Sequence, residues 1–138
     1  MNAASPREGK KPLVAVINTT VEIIDMLRDV LEEDDFAVAA ANVVAFKQGK
    51  QDLTTFFMQH QPKAVIYDVA IPYEENWQFL QEVVVPASGL PERRFVITTT
   101  NKRVLEQLVG STTAIELIGK PFDLETIVTA VRRVIEGA

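Results

Sequence analysis

The chain has 138 residues, 47% hydrophobic and 24% charged, with a net charge of −5; it is one domain's worth of chain, long enough to bury its own core. The absence of cysteine excludes a disulfide scaffold, thiol catalysis and Cys-ligated metal, and a single histidine, His60, excludes a multi-His metal site and speaks against a His-based triad. An acidic chain without a basic cluster is a poor nucleic-acid binder.

Residues 1–12, MNAASPREGKKP, are polar and aperiodic and read as a flexible tail without a hydrophobic signal core. No apolar run reaches the length of a membrane span, so a soluble, cytoplasmic protein is expected. Leu13–Ile17 (LVAVI) reads as a strand buried on both faces. Val21 to Glu33 follows helical spacing, with Ile24, Leu27 and Leu31 on one stripe. Thr19, three residues before Glu22, has the spacing of a capping box. Phe36–Ala41 is the second strand, and Asn42–Gln51 reads as a mobile loop. Leu53, Phe56 and Phe57 mark a second helix ending near His60 and Pro62. Ala64–Tyr67 is a third strand, stopped by Asp68, and Trp77–Val84 a third helix, ended by Pro86. Phe95–Thr98, Lys102–Leu108 and Ile115–Ile118 give the fourth strand, fourth helix and fifth strand. Asp123 caps a fifth helix with the stripe Leu124, Ile127, Val128, Val131 and Ile135, which Gly137 ends.

This alternation predicts a parallel sheet with helices on both faces. In doubly wound sheets, ligands bind beyond the C-terminal ends of the strands. The residues there are Asn18 and Thr19, Asp68, Thr98 to Thr100, and Lys120 before Pro121. Taken singly, Asp68 reads as a turn cap, Thr98 as an ordinary strand residue and Lys120 as a surface lysine. Together they bring a carboxylate, a hydroxyl and an ammonium to one sheet edge from three strands.

At these residues the chain resembles the receiver domain of bacterial two-component response regulators, over residues 13–138. The most specific piece is AVIYDVAIP, a buried strand ending in Asp68 with Pro72 four residues on; FVITT supplies Thr98, and LIGKPF supplies Lys120 and Pro121. The resemblance implies a flavodoxin-like, three-layer α/β/α fold with five parallel strands in the order 2-1-3-4-5. It implies that Asp68 accepts a phosphoryl group from a histidine kinase or phosphotransfer protein, that Lys120 pairs with the carboxylate and then the phosphoryl oxygens, and that Thr98 hydrogen-bonds a phosphoryl oxygen. Such transfer is mostly positioning and charge neutralisation. The resemblance also implies a signalling domain, not an enzyme, a cis Lys120–Pro121 bond, and output through the fourth helix, fifth strand and fifth helix. That face would include Lys102, Glu106 and Glu116. Homodimerisation is left open.

The sequence departs from the family pattern. Typical receivers have two acidic residues after the first strand, where this chain has Asn18 and Thr19. Mg²⁺ prefers anionic oxygen, and only Asp68 remains as a certain anionic ligand. Asp68 against Lys120 is already balanced, so weak or absent Mg²⁺ and an Asp68–Lys120 ion pair are expected. Leu117 stands where many members carry a rotating Tyr or Phe. Asn76 stands where Gly is common, and Asn tolerates a left-handed backbone. Glu74 and Glu75 read as solvated surface, Trp77 as core, and His60 as a helix-end surface residue. Arg93 and Arg94 read as a solubility cluster or one phosphate contact. Two readings stand close to even: a phosphoaccepting receiver with impaired metal use, and a pseudo-receiver kept as a phosphorylation-independent interaction module. A flavin-binding protein of similar topology is a weak third, because the loop 18–20 lacks a glycine.

Overall fold

The computed structural model describes residues 11–110, 116–119 and 123–137. Five strands form one sheet: β1 (Leu13–Asn18), β2 (Ala37–Asn42), β3 (Ala64–Val69), β4 (Phe95–Thr99) and β5 (Glu116–Gly119). They pair in parallel in the order β2-β1-β3-β4-β5, as the resemblance implies. The helices are α1 (Val21–Glu33), α2 (Val43–Lys47), α3 (Leu53–His60), α4 (Tyr73–Phe79), α5 (Val85–Ser88), α6 (Lys102–Val109) and α7 (Leu124–Glu136), with a π-helical turn at Leu80–Val84.

Alternate side chains of each strand point to opposite faces. Val14, Val16, Ala64, Ile66, Val96 and Ile118 meet Ile24, Leu27 and Leu31 of α1 and Ile127 and Val131 of α7. Ala15, Ile17, Val65, Tyr67, Phe95 and Ile97 meet Phe46, Phe56, Phe57, Leu80 and Leu105 on the other face. The sheet is therefore apolar on both sides, which accounts for the unbroken hydrophobic runs of its central strands. Among the described residues no helix is long and apolar enough to cross a membrane.

Several local expectations need correction. The segment after β2 is not a loose loop. Asn42 Oδ1 accepts from Val44 N at 2.8 Å and starts α2. Phe46 is buried and meets Phe56 edge to face, 5.6 Å between centroids. A two-residue apolar anchor, Val43 and Phe46, was too short for periodicity to reveal. The third helical run begins at Tyr73 and passes through Pro86. Pro has no N–H and its ring crowds the preceding turn. The turn before it widens, and Val85 N–H reaches back to Leu80 O. The run ends at Gly89, in left-handed conformation at φ 71°.

All five strands also run further at their C-terminal ends than expected, β1 to Asn18 and β4 to Thr99. β3 contains Asp68 and ends at Val69, because the carboxylate finds a hydrogen bond inside the sheet edge. β2 extends to Asn42, opposite Asn18. β5 runs from Glu116 to Gly119. Most of the N-terminal tail, residues 1–10, lies outside the described residues.

Candidate functional site

Parallel register sets the site. Asp68 pairs with Thr98, and Thr98 with Ile118, so the C-terminal ends of β3, β4 and β5 reach one edge together. Thr98 Oγ1 donates to Asp68 Oδ1 at 2.6 Å. Asp68 is 8% exposed and Thr98 1%. One carboxylate thus opens to solvent by a narrow margin, with a hydroxyl from the neighbouring strand fixed on it. Such bonds strengthen where water is excluded. Beneath the edge, Tyr67 is buried. Desolvation, and after it the charge of Asp68, pushes its phenol well above the ordinary tyrosine value.

Asn18 stands at the end of β1 and is 2% exposed. Its Oδ1 accepts from Thr19 N at 2.7 Å and from Thr20 N at 3.0 Å. This overturns the capping role expected of Thr19. The helix begins at Val21 with Thr20 as its N-cap, without a side-chain cap bond, and Asn18 closes the turn ahead of it. Thr19 is exposed. Asn18 was identified as the substituted acidic position, but its local bonding was missed. The signal was available: Asn favours bonding its own backbone two residues on.

The loop beyond Asp68 is tied from two directions. Asn76 Nδ2 donates to Ala70 O at 2.8 Å, and Asn76 Oδ1 accepts from Lys47 Nζ. Asn76 lies within α4 and has no left-handed backbone, so its value is the side-chain amide rather than tolerance of positive φ. Lys47 also lies over the Phe79 ring, 5.1 Å from the centroid. Pro72, after a cis Ile71–Pro72 bond, is the N-cap of α4. Tyr73 OH and Thr100 Oγ1 are 2.5 Å apart, linking the start of α4 to the loop after β4. Neither Lys47 nor Tyr73 was singled out from the sequence, since both contacts span long sequence separations. Trp77 packs partly buried against the core, as expected, and Glu74 and Glu75 are exposed.

Lys120 and Pro121 lie outside the described residues, and with them the expected Asp68–Lys120 pair and the cis Lys120–Pro121 bond. Lys120 follows Gly119, whose backbone pairs with Thr99. A Cβ on Gly119 would come within 3.1 Å of Lys102 Cβ, so this strand end is bare where α6 crosses it. Leu117 pairs through its backbone with Ile97. The described residues hold no cluster of three or more Asp, Glu, His or Cys fit for a metal. With Asn18 Oδ1 turned to the backbone, the residues described here do not form the carboxylate-rich set that Mg²⁺ prefers.

No family model matches the sequence, and no curated protein matches it. Solved structures do. A response regulator receiver protein from Sinorhizobium medicae matches with a TM-score of 0.66 and 13% identity, over 92% of this chain and 96% of its own. The fold is that of response regulator receiver domains. The chemotaxis protein CheY4 of Vibrio cholerae gives a TM-score of 0.61 at 22% identity, over 89% and 98% of the two chains. A structure described as a transiently phosphorylated switch in bacterial signal transduction gives 0.67 at 20%, over 92% and 96%. In this receiver fold, Asp68 and Thr98 are held together by backbone register rather than by loop conformation.

Proposed function

We propose that the chain is a receiver module of a two-component phosphorelay, with Asp68 as the phosphoacceptor. The observation that carries this reading is the buried Thr98–Asp68 hydrogen bond, 2.6 Å long, at the C-terminal edge of the sheet. It unites two residues thirty positions apart in the two strands where a receiver keeps its chemistry. An Asp68 oxygen attacks the phosphorus of a phosphohistidine on a kinase or phosphotransfer protein. The O–P bond forms, the P–N bond breaks, and the nitrogen keeps the electron pair. Thr98 exchanges its bond to Asp68 for one to a phosphoryl oxygen, and Lys120, next after Gly119, neutralises the added charge. The module is a phosphoacceptor rather than an enzyme and acts in the cytoplasm. It passes its signal by protein contact through the face of α6, β5 and α7, without nucleic acid.

Mg²⁺ binding is weak in this reading, and transfer is correspondingly slow. The engagement of Asn18 Oδ1 by two backbone N–H groups supports that part. The same observation favours a second reading, a pseudo-receiver that keeps the fold as an interaction platform. The test is incubation with acetyl phosphate, with and without Mg²⁺, followed by intact mass. A slow gain of one phosphoryl group, lost in Asp68→Asn, supports the phosphoacceptor. Complete inertness under both conditions, and with a phosphorylated phosphotransfer domain, establishes the pseudo-receiver.

A further inference from the structure

The edge of the sheet opposite Asp68 carries a concavity of about 530 Å³. It lies where α3 ends, α5 ends and the segment 89–94 leads into β4. Phe57, Met58 and Leu90 form its apolar wall, and Lys63, Arg93 and Arg94 line the rest; no carboxylate lines it. Met58 is 70% exposed, a large apolar side chain left in water. Lys63 and Arg93 are exposed as well.

Among the described residues no carboxylate neutralises these cations. Arg94 Nη1 donates to Lys63 O at 2.8 Å, while Arg94 Nε is buried without a hydrogen-bond partner. Among the described residues, none of the three forms an ion pair. The carbonyl ends of α3 and α5 lie nearby and favour positive charge. They are closed by backbone, however: Gln61 N–H bonds Phe57 O at 2.8 Å, and Gly89 N–H bonds Pro86 O at 3.4 Å. A chain of net charge −5 therefore keeps three cations around one partly apolar hollow.

We propose that this groove docks an acidic segment of a partner protein. Its carboxylates meet Lys63, Arg93 and Arg94, and an apolar side chain between them covers Met58. Charge complementarity selects the sign of the occupant, and the exposed methionine selects a peptide over a bare polyanion. A nucleic acid would run its phosphates beyond three cations onto an acidic surface, which disfavours it. The groove lies at the far edge of the sheet from Asp68, so docking does not depend on phosphorylation.

The test uses the full chain, a glutamate-rich peptide carrying one leucine, and a lysine-rich peptide as control. Binding is read by fluorescence anisotropy and by amide shifts. Shifts in 57–63 and 87–94, with affinity falling as salt rises, are expected for the acidic peptide alone. Lys63→Glu combined with Arg93→Glu should weaken it about tenfold or more. Both side chains are exposed, so the variant should melt as the parent does, and Met58→Ser gives a milder loss that checks the apolar contact. Asp68→Asn should bind unchanged. The proposal is overturned if these amides do not shift, if the charge reversal leaves affinity intact, or if a single-stranded oligonucleotide binds the same amides as tightly.

Discussion

The ends of β1 and β3 are neighbours at one edge of the sheet, and they use their polar side chains in opposite directions. Asn18 turns back along its own chain and satisfies two N–H groups one and two residues on. Asp68 is met from across the sheet by Thr98, thirty residues away. The first arrangement fixes a turn and leaves little for a ligand. The second assembles a reactive group whose existence depends on the whole fold. A carboxylate at position 18 has two oxygens and can serve the turn with one and a cation with the other. An amide has one acceptor atom, and here it is taken.

The largest test of this contrast is to give β1 back its acids. Asn18→Asp with Thr19→Asp should raise phosphorylation by acetyl phosphate about tenfold or more and make it Mg²⁺-dependent, because two anionic donors join Asp68. Intact mass follows the gain, and Asp68→Asn in the same background should remove it. Mg²⁺ binding without a gain in phosphorylation would show that the β1 end does not limit the β3 end.

Stability separates the two ends further. Asn18→Ala leaves two N–H groups without their acceptor and should cost about 1–2 kcal/mol in urea unfolding. Asn18→Asp alone should stay within about 0.5 kcal/mol of the parent, since its carboxylate still caps the turn. Thr98→Val keeps the shape but removes the donor to Asp68, and should cost about 1 kcal/mol, with Thr98→Ser retaining most of it. A loss at Thr98 larger than at Asn18 would reverse the assignment of structural and chemical roles.

The smallest effect is on the alkaline side. Tyr67 is raised above its ordinary value of 10.0 by burial and then by Asp68. Below that value both states hold the phenolic proton and its contribution is complete. Above it the unfolded phenol ionises while the folded one does not, so stability falls as pH rises. Tyr67→Phe should flatten this alkaline fall, read by urea midpoints from neutral pH upward.

The parallel sheet, its two apolar faces and the positions of Asp68 and Thr98 were legible because periodicity and strand ends are local signals, whereas the strand order came from the family resemblance. Asn18 was legible as a substitution but not as a cap, because the expected capping box pointed to Thr19 instead. The pairings of Lys47 with Asn76 and of Tyr73 with Thr100 were hidden for a different reason. Their contacts join segments twenty-nine and twenty-seven residues apart, and nothing in either segment marks the other. Pro86 misled because a proline is read as a stop, whereas a helix can widen ahead of it.

That widened turn has a bearing on how the chain tolerates changes in length. In a strand, losing one residue sends every later side chain to the wrong face. The π-helical turn at Leu80–Val84 already holds a residue more than an ordinary helical turn requires. Removing Val83, which faces solvent, would tighten the turn toward ordinary helix, but it would also press Pro86 into the carbonyl ahead of it. Paired with Pro86→Ala, the same deletion should fold. The proline and the extra residue are therefore coupled, each making the other acceptable, and the segment should gain or lose them together.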